Sequence, residues 1–350
     1  EWGGGINTKI YKKSLDIVKR DINAMLKAGY RSAYLNDANF GAFFERDFEI
    51  FEYAWTNGFN LTDISTMKSK DLNRRKKLID KYFEIVGTNY TSPNMENGKD
   101  MWSEMANISI VPSVSIQSSS DIAMKIAERV DLNTEDKLEL SKHINEQCSK
   151  HGFPIPNLEM ILAMPGSTID DFYNEMEYIW NFKSFGSYRH DYMFLPDSAL
   201  NSQEYKIKYD IRTVEVYTDI ADEQGIDSWN NLYKNKKSYF KTISSCFSFT
   251  IEEMHEMWFM NSAGNYLLQH FYPMLENSVS PSVFTKKAYE AISKLDSWDD
   301  IHSEIRDIFN PNSQPKSIKV LNQEFRANTI NKFIEKNRHI IMSEVSKECL

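Results

Sequence analysis

A chain of 350 residues with 41% hydrophobic and 26% charged side chains has the composition of a globular protein with a sizeable core, which excludes general disorder. A net charge of −9 argues against a surface built to coat nucleic acid or anionic membrane, leaving room only for a local basic groove, and no apolar stretch reaches the length of a membrane span. Cys148, Cys246 and Cys349 are too scattered for a disulfide framework or a self-contained metal site, and fit a reducing, cytoplasmic setting.

The chain opens on Glu-Trp-Gly-Gly-Gly without a methionine, so Glu1 is expected to follow a longer natural start. Apolar spacing predicts a helix from Tyr11 to Ala28, stopped by Gly29. "YRSAYLNDANF" reads as a short strand entering a polar loop, Arg46 to Thr56 as a helix and "NLTDISTMK" as strand-like. A charged helix follows over Lys70 to Tyr82, then an inserted loop over 87–100. "ISIVPSVSIQSSS" predicts a strand, Asp121 to Arg129 a helix, and Asn133 or Thr134 caps a helix that ends before Gly152. "NLEMILAMPGSTIDDF" reads as a buried strand, a Pro-Gly turn and a helix start with Ser167 and Asp170 as its capping box; "YRHDYMFLP" closes the series as one strand.

Alternating strands and helices with these connections predict an α/β sheet or barrel of parallel strands over 1–201. From about Ser202 the pattern changes to helical stretches rich in Tyr, Trp and Met without a convincing strand series, which predicts a helical region over 202–350. In parallel barrels the working residues gather at the carboxyl ends of strands. Here those ends carry Asn36 and Asp37, then Ser113, Ser115 and Gln117 on one strand face, then "AMPGST" and "LPDS". Single polar residues at such places are ordinarily caps, but three on one face of an apolar strand need partners, and a ligand is one.

These segments, in this order, resemble radical S-adenosylmethionine (SAM) enzymes. "SIQSSSDIAMKIAER" is similar to their fourth-strand segment, with Gln117 and Arg129 twelve positions apart; "LEMILAMPGSTIDDF" resembles the fifth-strand signature and "DYMFLPDSAL" the strand after it. "EWGGG" resembles the residues directly after the last cysteine of the C-x3-C-x2-C cluster loop in the subgroup that often carries an upstream cobalamin domain. The resemblance covers about residues 1–201. It implies a partial parallel (β/α) TIM-like barrel lacking its first strand and cluster loop, with a helical C-terminal region. It also implies a [4Fe-4S] cluster, SAM, cobalamin in that subgroup, and an electron donor such as flavodoxin or ferredoxin. Reductive cleavage of SAM to a 5′-deoxyadenosyl radical would modify a substrate that the sequence does not identify, with cobalamin-dependent methyl transfer as one outcome.

By the same resemblance, Trp2 and Gly3 pass close to the cluster and SAM. Arg129, with Gln117 assisting, takes the SAM carboxylate, Ser115 is a further cofactor contact on the same strand, Asn36 and Asp37 take the ammonium, and Ile161 to Met164 wall the adenine. Tyr192 and Asp197 are candidate substrate contacts. None of the three cysteines has the cluster spacing, so this stretch alone is expected to be inactive. A cluster-free barrel hydrolase using Asp37, or a non-catalytic binding protein of the same fold, are the rival readings. Glu252 and His255 form an E-x-x-H step, and Asp299 with His302 makes a poor second copy, so no metal is expected there. The aromatic run Trp258 to Tyr272 reads as core.

Overall fold

The computed structural model describes residues 13–34, 43–62, 71–86, 115–128, 133–153, 155–156, 158–184, 188–194, 198–219, 237–275, 278–317 and 323–349. The fold is mixed α/β. Helix α1 (Leu15–Lys27) starts later than predicted because the Ser14 hydroxyl accepts from the Ile17 N–H and caps it there. Strands β1 (Ser32–Tyr34) and β2 (Asn60–Thr62) pair in parallel across helix α2 (Phe44–Thr56), and helix α3 (Leu72–Val86) follows. Strands β3 (Ser115–Gln117), β4 (Glu159–Leu162) and β5 (Tyr188–Asp191) form a three-stranded parallel sheet in that order. Helices α4 (Asp121–Ile126) and α5 (Thr134–His151) connect β3 to β4, and α6 (Ile169–Asn181) connects β4 to β5. Asn133 caps α5 and Gly152 ends it in the left-handed conformation, both as predicted.

Three expectations are corrected. The box that starts α6 is Thr168 with Asp171, one residue later than Ser167 with Asp170; Ser167 instead meets Ser118. The run "YRHDYMFLP" is two strands, because the chain leaves the parallel sheet after Asp191 and β6 (Met193–Phe194) pairs antiparallel with β8 (Lys237–Ser245). The C-terminal half is not purely helical: β7 (Arg212–Asp219) pairs with β8 over its whole length, and with β9 (Lys316–Ser317) completes a sheet of order β6-β8-β7-β9. Val214 and Val216 face the core and Glu215 faces solvent, which is strand alternation. Among the described residues the strands fall into three sheets, one of them parallel over three strands.

Two apolar cores result. Ile22, Phe51, Phe59, Tyr82 and Phe83 build one, to which α5 adds Ile144 and Cys148. The larger joins β3–β5 and α6 to the C-terminal helices α8 (Ile251–His270), α9 (Pro281–Ile292), α10 (Trp298–Phe309) and α11 (Gln323–Cys349). The short helix α7 (Gln203–Lys208) lies just before β7. Helix α8 is buried on most of its surface; Trp258, Phe259, Phe271 and Tyr272 are core, as predicted. No described helix is long and apolar enough to cross a membrane.

His255, 5% exposed, lies in this core beside Phe309 and His302. Burial, followed by His302, lowers its pKa from 6.5 to about 4, so the ring is neutral in the fold. The unfolded chain therefore binds one more proton between those two values, and stability falls as the pH drops from about 6.5 to about 4. His302 is shifted the same way by burial and Arg306. Replacing His255 by Leu is expected to remove a slope of up to about 1.4 kcal/mol per pH unit in that window. Urea unfolding at a series of pH values measures it, and an unchanged slope in the variant would refute the assignment.

Candidate functional site

The carboxyl ends of β3 and β4 lie side by side, and both end in an unusual backbone. Gln117 has φ 68 and the Ser118 N–H donates to the Ile116 carbonyl at 3.0 Å, a three-residue γ-turn of the strained hand. Ala163, just beyond β4, has φ 57, and Gly166 in the Pro-Gly turn has φ 98. A Cβ on Gly166 would stand 2.9 Å from the Ala123 nitrogen, so only glycine lets this turn lie against the start of α4.

Hydrogen bonds tie the two turns together. The Ser118 and Ser167 hydroxyls meet at 2.9 Å, Ser120 Oγ donates to the Gly166 carbonyl at 2.9 Å, and the Gly166 N–H donates to Ser248 Oγ at 3.0 Å. Behind them lies a charged centre. Arg189 of β5, 1% exposed, donates from Nε to Glu175 Oε2 of α6 at 2.7 Å, with its guanidinium 4.3 Å from the centre of the Phe172 ring. Its remaining nitrogens donate to the Phe172 carbonyl at 3.3 Å and to Asn261 Oδ1 of α8 at 3.5 Å. Asn261 Nδ2 returns a bond to the Arg189 carbonyl at 3.1 Å. The other Glu175 oxygen accepts from the Ser119 N–H at 3.0 Å and the Ser119 hydroxyl at 3.2 Å. Glu175 thus holds the β3–α4 turn two residues past Gln117.

This arrangement covers one face of the sheet and leaves the other more open. Met160 and Arg189 are in register and buried toward α6 and α8. Ser115, Glu159 and Ile161 alternate with buried neighbours and are half-buried, and His190 is exposed. Ser115 and Gln117 therefore flank the buried Ile116, as period two requires. The Ser115 hydroxyl donates to Glu159 Oε2, so β3 and β4 are joined on this face by a side-chain bond. Met164 is buried in the core, where only its backbone is suited to meet a ligand. Tyr192 is also buried, edge-on to Phe194, and its carbonyl accepts from Thr242 Oγ1 at 3.1 Å; it occupies the junction between the two sheets. Trp2, Gly3, Asn36, Asp37, Arg129 and Asp197 lie outside the described residues.

Sequence reasoning missed Arg189, Glu175 and Asn261. The available signal was a glutamate on the apolar face of α6, three residues after Phe172; the polar run Tyr-Arg-His-Asp of β5 gives no comparable sign that Arg189 is buried. Among the described residues no group of three or more His, Cys, Asp and Glu is placed to hold a metal ion. Cys148 is fully buried, and burial raises its thiol to about 12, so it is inert. A comparison with protein-family models gives no match, and a comparison with curated proteins gives none either.

Two substitutions test the geometry. Arg189→Met leaves Glu175 as a buried, unpaired carboxylate and is expected to cost about 3–5 kcal/mol, with Arg189→Met/Glu175→Met costing less than Arg189→Met alone. A single-variant loss of only a few tenths of a kcal/mol in urea unfolding would contradict the pair. Gly166→Ala is expected to cost more than Gly58→Ala, since both have positive φ but only Gly166 meets backbone; the conformational part is about 1–3 kcal/mol. Equal unfolding midpoints would show that the contact with Ala123 does not matter.

Proposed function

We propose that the chain is the core of a radical SAM enzyme, with SAM on the open face of β3–β4–β5 at the carboxyl ends of the strands. The observation that carries the reading is the strained turn at Gln117. Residues in costly backbone conformations persist where the surroundings fix them, and they gather at ligand sites. Here buried serines and Glu175 fix the turn, and its central residue, Gln117, is the one expected to assist Arg129 at the SAM carboxylate. A parallel sheet with helices against one face also suits a half-closed barrel.

The residues fit the two cofactors unequally. For SAM, Gln117 and Ser115 offer polar groups on the half-buried face, and Ile161 offers an apolar wall next to them. Arg129, with Asn36 and Asp37, completes the set for a zwitterionic amino-acid group. For the [4Fe-4S] cluster the residues do not fit: the three cysteines share no loop, and Cys148 and Cys246 are buried. The proposal therefore takes the cluster ligands from a longer polypeptide. Reductive cleavage of SAM is the chemistry such a cluster supplies, and this chain's part is to bind, orient and shield. Substrate modification, cobalamin-dependent or not, depends on that step.

The test uses this chain together with any further residues its gene encodes, made and reconstituted without oxygen. Iron and sulfide in the ratio of a [4Fe-4S] cluster, an EPR signal that shifts with SAM, and release of 5′-deoxyadenosine are expected. Gln117→Ala should weaken SAM binding by about tenfold or more, since the lost hydrogen bond reaches a charged group. A folded protein with no cluster, or SAM affinity unaffected by both Gln117→Ala and Arg129→Ala, would overturn the reading in favour of a cluster-free barrel.

A further inference from the structure

The E-x-x-H step on α8 and its poor D-x-x-H copy on α10 lie far apart in the sequence, yet packing brings their histidines together. The ring centres of His255 and His302 are 5.6 Å apart, with the planes at 77°. Two imidazoles on one tetrahedral ion place their ring centres roughly 5 Å apart, so the separation suits a shared ion with only a small adjustment. His255 is buried, and among the described residues neither its Nδ1 nor its Nε2 has a hydrogen-bond partner. A buried polar group without a partner calls for an explanation, and an ion is one. His302 is half-buried, with one ring face stacked on Trp298 at 14°, which leaves its edge nitrogens to define its chemistry.

Glu252 stands one helical turn before His255 and lies close enough to favour that ring's charged form. It also lines a cleft of about 490 Å³, bounded by Asp210, Arg212, Cys246, Glu253 and Pro311. An exposed carboxylate on a cleft wall offers a third ligand and a route by which an ion enters. One charge bears against a cation. Arg306 lowers the pKa of both histidines, but its guanidinium is half exposed and lies 4.0 Å from Asp299, toward which it can turn. The three groups are not preassembled, so the Glu252 side chain must rotate inward when the ion arrives.

We propose that His255, His302 and Glu252 form a site for a zinc-class divalent transition metal, with water as the fourth ligand, between α8 and α10. This inference is independent of the SAM reading, because it uses no residue of that site. Imidazole nitrogens with one carboxylate suit zinc and its neighbours, whereas magnesium and calcium call for oxygen.

Titration of the metal-free chain with Co²⁺, followed by its visible bands, and competition with Zn²⁺ test it. About one ion per chain is expected, with a rise in Tm on zinc addition. His302→Gln should abolish binding, and Glu252→Gln should weaken it by about tenfold or more. Both positions are accessible, so the variants are expected to fold, and circular dichroism without metal checks that. Cys246→Ser should bind as the parent does. Absence of binding, or stoichiometric binding that survives His302→Gln, overturns the proposal; binding lost with Cys246→Ser would transfer the ion to the thiol and overturn it equally.

Discussion

One buried ion pair holds the larger core in register. Arg189 and Glu175 are both sealed from water, where each charge alone would be costly, so they persist only because each completes the other. The pair engages β5, α6, α8 and the turn after β3 at once. Apolar contacts around it are directionless; the forked geometry of a guanidinium is not. Sliding α6 or α8 by one residue would separate the carboxylate or the amide from its partner. The ion pair therefore selects one arrangement among the many that the same apolar surfaces allow, and the two turns at the carboxyl edge take their positions from it.

The large core supports this centre from the C-terminal half. Helix α8 supplies Asn261 to the charged centre and lets α6 approach closely at Gly264, where a Cβ would stand 2.7 Å from Met176 Cε. Tyr192 turns the chain from the parallel sheet into the mixed sheet, and Thr242 of β8 secures that corner. Elements separated by more than seventy residues thus determine the shape of one edge. The smaller core, built on α2, α3 and α5, meets the larger one through α5.

Much of this was legible because local chemistry decides it. The Asn133 side chain starts α5 and Gly152, free to take the left-handed conformation, ends it, and apolar periodicity located α1. Where the sequence misled, two local solutions were equivalent. "STIDD" satisfies a capping box in either of two frames, and the tertiary bond between Ser167 and Ser118 decides between them. "YRHDYMFLP" alternates without interruption, so only its pairing partners reveal the break at Tyr192. The antiparallel pair of β7 and β8 also shows period two, but it lies in the stretch after Ser202 whose Tyr, Trp and Met content read as helical. At the candidate site, Ser115, Gln117 and Ile161 fall where alternation puts them, while the strained turn and the Arg189 centre depend on contacts far along the chain.

The left-handed residues at the two strand ends bear on how such a protein changes over time. Gln117 and Ala163 mark places where the backbone itself leaves the extended strand conformation. Glycine and asparagine take that conformation with less strain than alanine, so Ala163 can drift without losing the turn. An edge shaped by main-chain conformation and held from behind is conservative in form and permissive in letters. Its descendants would diverge in sequence faster than in shape, and their kinship would be read in torsion angles long after it had faded from the residues.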